Sequence, residues 1–143
     1  MKKEKSLSFD RENHQLLFAT KYYFNLCENL INKFDNSESY LDLNLKDFND
    51  TKLLYQIHLA SCCFRLSAII EKDSNYKRAY SYLNEKDKDQ YIDKYLPFLI
   101  RDTVSHKEQP DHPKFDARRR ELENIKIQRV HEIIKEAIVS RSR

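Results

Sequence analysis

The sequence predicts an all-α protein, an up-and-down bundle of four to five helices, and three observations carry that prediction. The chain contains no glycine in 143 residues. Tight hairpins, phosphate-cradling loops and GxGxxG nucleotide sites rely on glycine for positive φ, so a β-rich fold and both nucleotide motifs are disfavoured. Only 3 prolines interrupt the chain. Apolar residues recur at three- and four-residue spacing through most of it, the period of helices with one buried face. A chain of 143 residues makes one domain that buries roughly two-thirds of its unfolded surface, so neither a metal nor a disulfide is required to hold it.

Residues 1–8 read as a flexible basic lead-in, and 9–143 as the single domain. Leu16, Leu17, Tyr23, Cys27, Leu30, Ile31 and Phe34 predict a first helix over residues 10–34, capped by Asp10 or Ser8. Asp35 to Ser39 supply turn and capping residues. The alternation from Tyr40 to Leu45 is too isolated to build a sheet and reads as an extended connector on the bundle. A second helix runs from Asp47 or Asp50 to Glu71, its apolar surface formed by Leu53, Leu54, Ile57, Cys62, Phe64, Leu66, Ile69 and Ile70. Tyr76, Tyr80 and Leu83 mark a short helix. Tyr91, Ile92, Tyr95 and Leu96 then begin another, in which Pro97 either makes a kink or sits in the first turn of a fresh helix. Two prolines in the polar segment 107–113 force a turn, and Asp111 or His112 before Pro113 starts a last long helix that runs to about Ser140.

Cys27, Cys62 and Cys63 lack metal-knuckle spacing and lie in apolar helical patterns, so they read as reduced core residues. No apolar run approaches the roughly 18 residues of a membrane span, and Met1 leads into a polar stretch rather than a signal sequence. The expectation is a soluble, cytoplasmic protein without membrane association. A net charge of +3 permits contact with a phosphate backbone without requiring it.

The chemistry gathers where an apolar run, Leu96 to Ile100, delivers Arg101, Asp102, Thr103, Val104, Ser105 and His106. On a helical wheel Leu96, Leu99, Ile100, Thr103 and Val104 take one side, while Arg101, Asp102, Ser105 and His106 take the other. An imidazole exchanges a proton near neutral pH, and a guanidinium holds a phosphate bidentately as its charge grows. Arg101 and His106 therefore suit cleavage of RNA, whose own 2′-OH is the nucleophile, with no cofactor and no metal site. That mechanism needs a base and an acid, and one motif holds a single imidazole. A two-fold axis past His106 would bring two Arg101 and two His106 into one cleft.

Arg101-Asp102-Thr103-Val104-Ser105-His106 resembles the R-(polar)-x-x-x-H motif of the HEPN superfamily, in which a polar residue follows the Arg and an apolar run precedes it. The chain departs from many members in placing Lys107 and Glu108 after the His, where a small residue is usual. The resemblance implies a helical bundle that dimerises across the motif helix and, in active members, a metal-independent endoribonuclease. It also implies work in toxin–antitoxin or phage-defence systems, with an antitoxin or defence partner. Arg101 and His106 would be catalytic, and Asp102 would orient them.

Other residues have plainer readings beside functional ones. Arg101 and His106 could form a solvated face near a helix end, His106 and Lys107 complementing its dipole. Arg118, Arg119 and Arg120 lie in the first turns of the last helix, the electrostatically wrong end for cations, and so are RNA-binding candidates with Ser105 and Lys107, or simply a solvated face. His58 reads as a core or interface histidine, and His112 as helix-start chemistry. Tyr76, Tyr80, Tyr91 and Tyr95 read as core rather than base-stacking platforms.

Overall fold

The structure, a computed structural model, describes the backbone of residues 2–41, 49–73, 92–105 and 120–142, and within these the side chains of 11–41, 49–72, 92–93, 95–102 and 120–142. The long helices are α1 (Lys2–Leu30), α2 (Asp50–Asp73), α3 (Ile92–Ser105) and α4 (Ile127–Arg141), with a 3₁₀ turn, Ile31–Lys33, closing α1. The described residues contain no strand, only one isolated bridge between Ser39 and Lys126. The fold is all-α. The expected short helix at residues 76–83 lies outside the described residues.

α1 begins at Lys2, about two turns before the expected start, so the basic segment is helical backbone and Ser8 and Asp10 are interior rather than caps. Lys and Glu lose little rotamer freedom in a helix and extend one that already has a long apolar face. α1 and α2 run antiparallel: Cys27 lies by Tyr55, its thiol 3.7 Å from the Tyr55 carbonyl. The Arg65 guanidinium sits 4.6 Å from the Tyr23 ring centroid, and Lys72 pairs with Glu12 at 2.5 Å.

α2 divides what the sequence reading had joined. Tyr55, Leu59, Cys62, Cys63, Leu66 and Ile70 are buried, whereas Leu53, Leu54, Ile57 and Phe64 are exposed, Phe64 by 59%. At about 100° per residue the exposed Leu53, Ile57 and Phe64 fall opposite Leu59 and Leu66. α2 is apolar nearly all round, and the bundle covers one side of it. Phe18 and Tyr22 are likewise exposed on α1. By length and composition alone, Asp50–Lys72 is apolar enough to cross a membrane, with mean hydropathy 1.4, which corrects the expectation that no apolar run approaches such a length; half of that window is buried inside the chain's own fold.

Pro97 lies inside α3 at a buried position, beyond any first turn. The long last helix is interrupted. Residues 120–123 are helical, 124–125 bend, and α4 starts anew at Ile127 from an extended Lys126 with ψ 147°. The interruption is fixed by backbone pairing with the α1–α2 connector. Tyr40 N–H donates to Ile125 O at 2.8 Å, Leu41 N–H to Leu122 O at 3.1 Å, and Ile127 N–H to Glu38 O at 2.9 Å. Ser39 Oγ donates to the Glu123 carbonyl. Partners from the connector satisfy groups that a continuous helix would have paired internally. Tyr40, expected in a connector resting on the bundle, is buried.

The division of α2 gives a test. Leu66→Ala should lower the unfolding free energy by about 2–5 kcal/mol, whereas Phe64→Ala should stay within about 0.5 kcal/mol of wild type, both read from urea denaturation followed by circular dichroism. Equal losses would contradict the outward placement of Phe64.

Candidate functional site around Arg101

Tyr95, Leu96, Phe98, Leu99 and Ile100 are buried, so the apolar run of α3 is enclosed by its own chain. Arg101 is where α3 meets the surface, its side chain 21% exposed. The sequence dictates this position, since five large apolar side chains hold the helix down and the next residue carries a charge that resists burial.

Among the described residues, Asp102, Glu71 and Ser67 accept from the guanidinium. Nε donates to Asp102 Oδ1 at 2.7 Å, while Nη1 donates to Glu71 Oε1 at 3.2 Å and to Ser67 Oγ at 3.4 Å. The Phe98 ring lies beneath, 5.2 Å from the guanidinium carbon. Asp102, expected on the polar side with Arg101, is buried at 6% exposure. That is a correction to the wheel. A buried carboxylate is costly unless paired, and Arg101 supplies the charge by reaching back over its neighbour. Ser67, itself buried, donates to the Phe64 carbonyl at 3.0 Å, which leaves its lone pairs toward Arg101.

Of the residues singled out in the sequence, the structure brings Arg101 and Asp102 together. His106, Lys107, Arg118 and Arg119 lie outside the described residues. Ser105 is the last residue of α3, its side chain also outside them, and Arg120 is exposed in the helical stretch 120–123. Ser67 and Glu71 were not singled out; their four-residue spacing places both on one side of α2, but no local pattern says which end of α2 receives α3. A cavity of about 310 Å³, lined by residues including Ile70, Asp93, Ile133 and Arg141, does not include Arg101.

A second polar cluster is internal. His131 is buried in α4, stacked on Phe24 with ring centroids 4.6 Å apart. Its Nδ1 lies 2.8 Å from the Tyr55 hydroxyl. Its Nε2 stands 3.4 Å from Glu28 Oε2 without the alignment of a hydrogen bond, and Glu28 also pairs with Lys135 at 3.3 Å. The signal for His131 was available, because it falls in the apolar stripe of Ile127, Val130, Ile134 and Ile138. His58, read as a core or interface histidine, is half-buried, its ring 6.4 Å from that of Tyr23. The three cysteines are free and buried, and burial pushes the Cys27 and Cys63 thiols up, which keeps them protonated and unreactive.

Comparison of the chain with known protein families, with characterised proteins and with solved structures finds no match in any of the three. The chemistry of the site therefore rests on its geometry. Asp102 holds the guanidinium at Nε from inside, and Nη1 is turned toward Ser67 and the exposed Glu71.

The internal cluster carries a pH dependence. Burial lowers the His131 pKa from its ordinary 6.5, with Glu28 partly opposing. The unfolded chain thus takes up this proton before the fold does, so the contribution of neutral His131 is complete above about pH 6.5 and is lost as pH falls below it. Melting temperature should drop more steeply from about pH 7 to pH 5 in wild type than in His131→Gln; identical slopes would show that His131 is not the group responsible.

Proposed function

We propose that the chain is a metal-independent endoribonuclease of HEPN type that acts as a homodimer, in the cytoplasm, as a toxin or phage-defence component with an antitoxin or defence partner. The observation that supports this most is Arg101, delivered to the surface by a buried apolar run and held at Nε by Asp102, within the R-D-x-x-x-H spacing. In the reaction, His106 of one chain removes the proton from a ribose 2′-OH, whose oxygen attacks the adjacent phosphorus. The bond from phosphorus to the 5′-oxygen breaks, and that oxygen takes a proton from the second chain's His106. The products are a 2′,3′-cyclic phosphate and a 5′-hydroxyl. Arg101 binds the non-bridging oxygens as their charge grows. Ser105, Lys107, Arg118, Arg119 and Arg120 would hold neighbouring phosphates.

Tyr95 to Ile100 are enclosed by their own chain, which suits a two-fold axis past the Arg101 end of the helix rather than along its flank. A second reading, a non-catalytic HEPN-like module that binds nucleotide, RNA or a protein partner, draws on the outward apolar residues Phe18, Tyr22, Ile57 and Phe64. Of those three ligands, exposed apolar side chains suit a protein partner.

Purified protein should cleave RNA in EDTA and leave 2′,3′-cyclic phosphate ends. Arg101→Ala and His106→Ala should each reduce the rate by at least about 10²-fold with helicity unchanged, and Asp102→Asn should retain more activity than Asp102→Ala. Phe64→Asp should leave both cleavage and dimer mass unchanged. Wild type that leaves RNA intact, with Phe64→Asp altering its assembly, would favour the second reading.

A further inference from the structure

Arg101 touches two carboxylates of different standing. Asp102, its side chain 8% exposed, holds Nε at 2.7 Å. Glu71, its side chain 40% exposed, reaches Nη1 at 3.2 Å from α2. An ion pair with a buried carboxylate is costly to break, because the charge left behind has no water. One with an exposed carboxylate is weakly held, because water replaces the lost contact.

Glu71 also sits where its own helix does not favour it. α2 ends at Asp73, so the Glu71 carboxylate lies in the last turn, beside the negative end of the helix dipole. Arg101 offsets that penalty. Carboxylate and phosphate oxygens accept from the same guanidinium N–H groups in similar geometry. The group on Nη1 is thus a protein-borne anion, at the surface, at the atom a phosphodiester would use.

We propose that Glu71 is a built-in competitor for Arg101: it occupies the guanidinium edge until a phosphodiester of RNA displaces it. This rests on the ribonuclease reading for the identity of the anion. Displacement exchanges one negative partner for another at Nη1, while Asp102 keeps Nε and Ser67 Oγ keeps Nη1 oriented. Asp102 is the positioning residue and Glu71 the exchangeable one. A lone small anion gains little from this exchange, because Glu71 is tethered to its partner at high effective concentration. A strand whose other phosphates are held elsewhere on the protein gains more, so the arrangement discriminates against free phosphate and mononucleotides in favour of polymer.

Binding is measured by fluorescence anisotropy on the full chain with a 2′-O-methyl RNA oligonucleotide, which lacks the nucleophile and is not cleaved. Glu71→Gln should bind about three- to tenfold tighter than wild type. Glu132→Gln, the same charge change on the exposed surface of α4, should not. The gain should vanish in Glu71→Gln combined with Arg101→Ala. In cleavage assays the gain should appear as a lower KM at unchanged kcat. A Glu71→Gln chain that binds no tighter than wild type, or a gain that survives the loss of Arg101, overturns the proposal. Should no variant cleave RNA while Glu71→Gln still binds tighter through Arg101, the competitor role stands and the ribonuclease reading falls.

Discussion

A carboxylate enclosed by protein must find a cation, and at the end of α3 Asp102 finds it in the residue immediately before it. The 2.7 Å contact from Arg101 Nε ties the position of a surface charge to the interior of the bundle. Side-chain entropy would otherwise leave the long Arg side chain sampling many rotamers in water. Here the apolar run of α3, the buried Ser67 and the Phe98 ring all narrow that choice. The candidate site is thereby an extension of the core, with its geometry set by packing rather than by surface contacts.

The same logic separates the two polar clusters. Arg101 stands at the boundary, with one carboxylate behind it and one beside it at the surface. His131 is buried, stacked on Phe24 and close to Tyr55 and Glu28. A group that must meet a polymer cannot be so enclosed, whereas a group that fixes how α4 sits on α1 and α2 can. The interior His therefore bears on stability, and the boundary Arg is partly open to solvent.

Several features were legible in the residues themselves. The absence of glycine and the three- and four-residue spacing carry the all-α class, and the apolar run ending at Arg101 marks where α3 reaches the surface. What escaped the sequence depends on residues distant along the chain. Ser67 and Arg101 are 34 positions apart, and Ser39 and Glu123 are 84 apart; nothing local in either partner announces the other. The interruption at residues 124–126 follows the same rule, because the helix there gives way to pairing with the connector. Phe64 misled for a different reason: apolar periodicity says that a face exists, but α2 has apolar residues on two faces and the bundle covers one. His131 was readable from its place in the apolar stripe of α4.

The central claim is that the Arg101 cation serves one cleft shared by two chains. Adding an excess of Arg101→Ala, His106→Ala double-variant protein to wild type, under conditions that exchange subunits, tests it most directly, with RNA cleavage as the readout. The double variant alone should be inactive. A shared cleft that needs both imidazoles predicts that cleavage falls far below that of the same amount of wild type left unmixed, because each hybrid dimer holds a single His106 and lacks either the base or the acid. A mixture that exchanges subunits and cleaves as fast as its wild-type content alone would contradict the shared cleft.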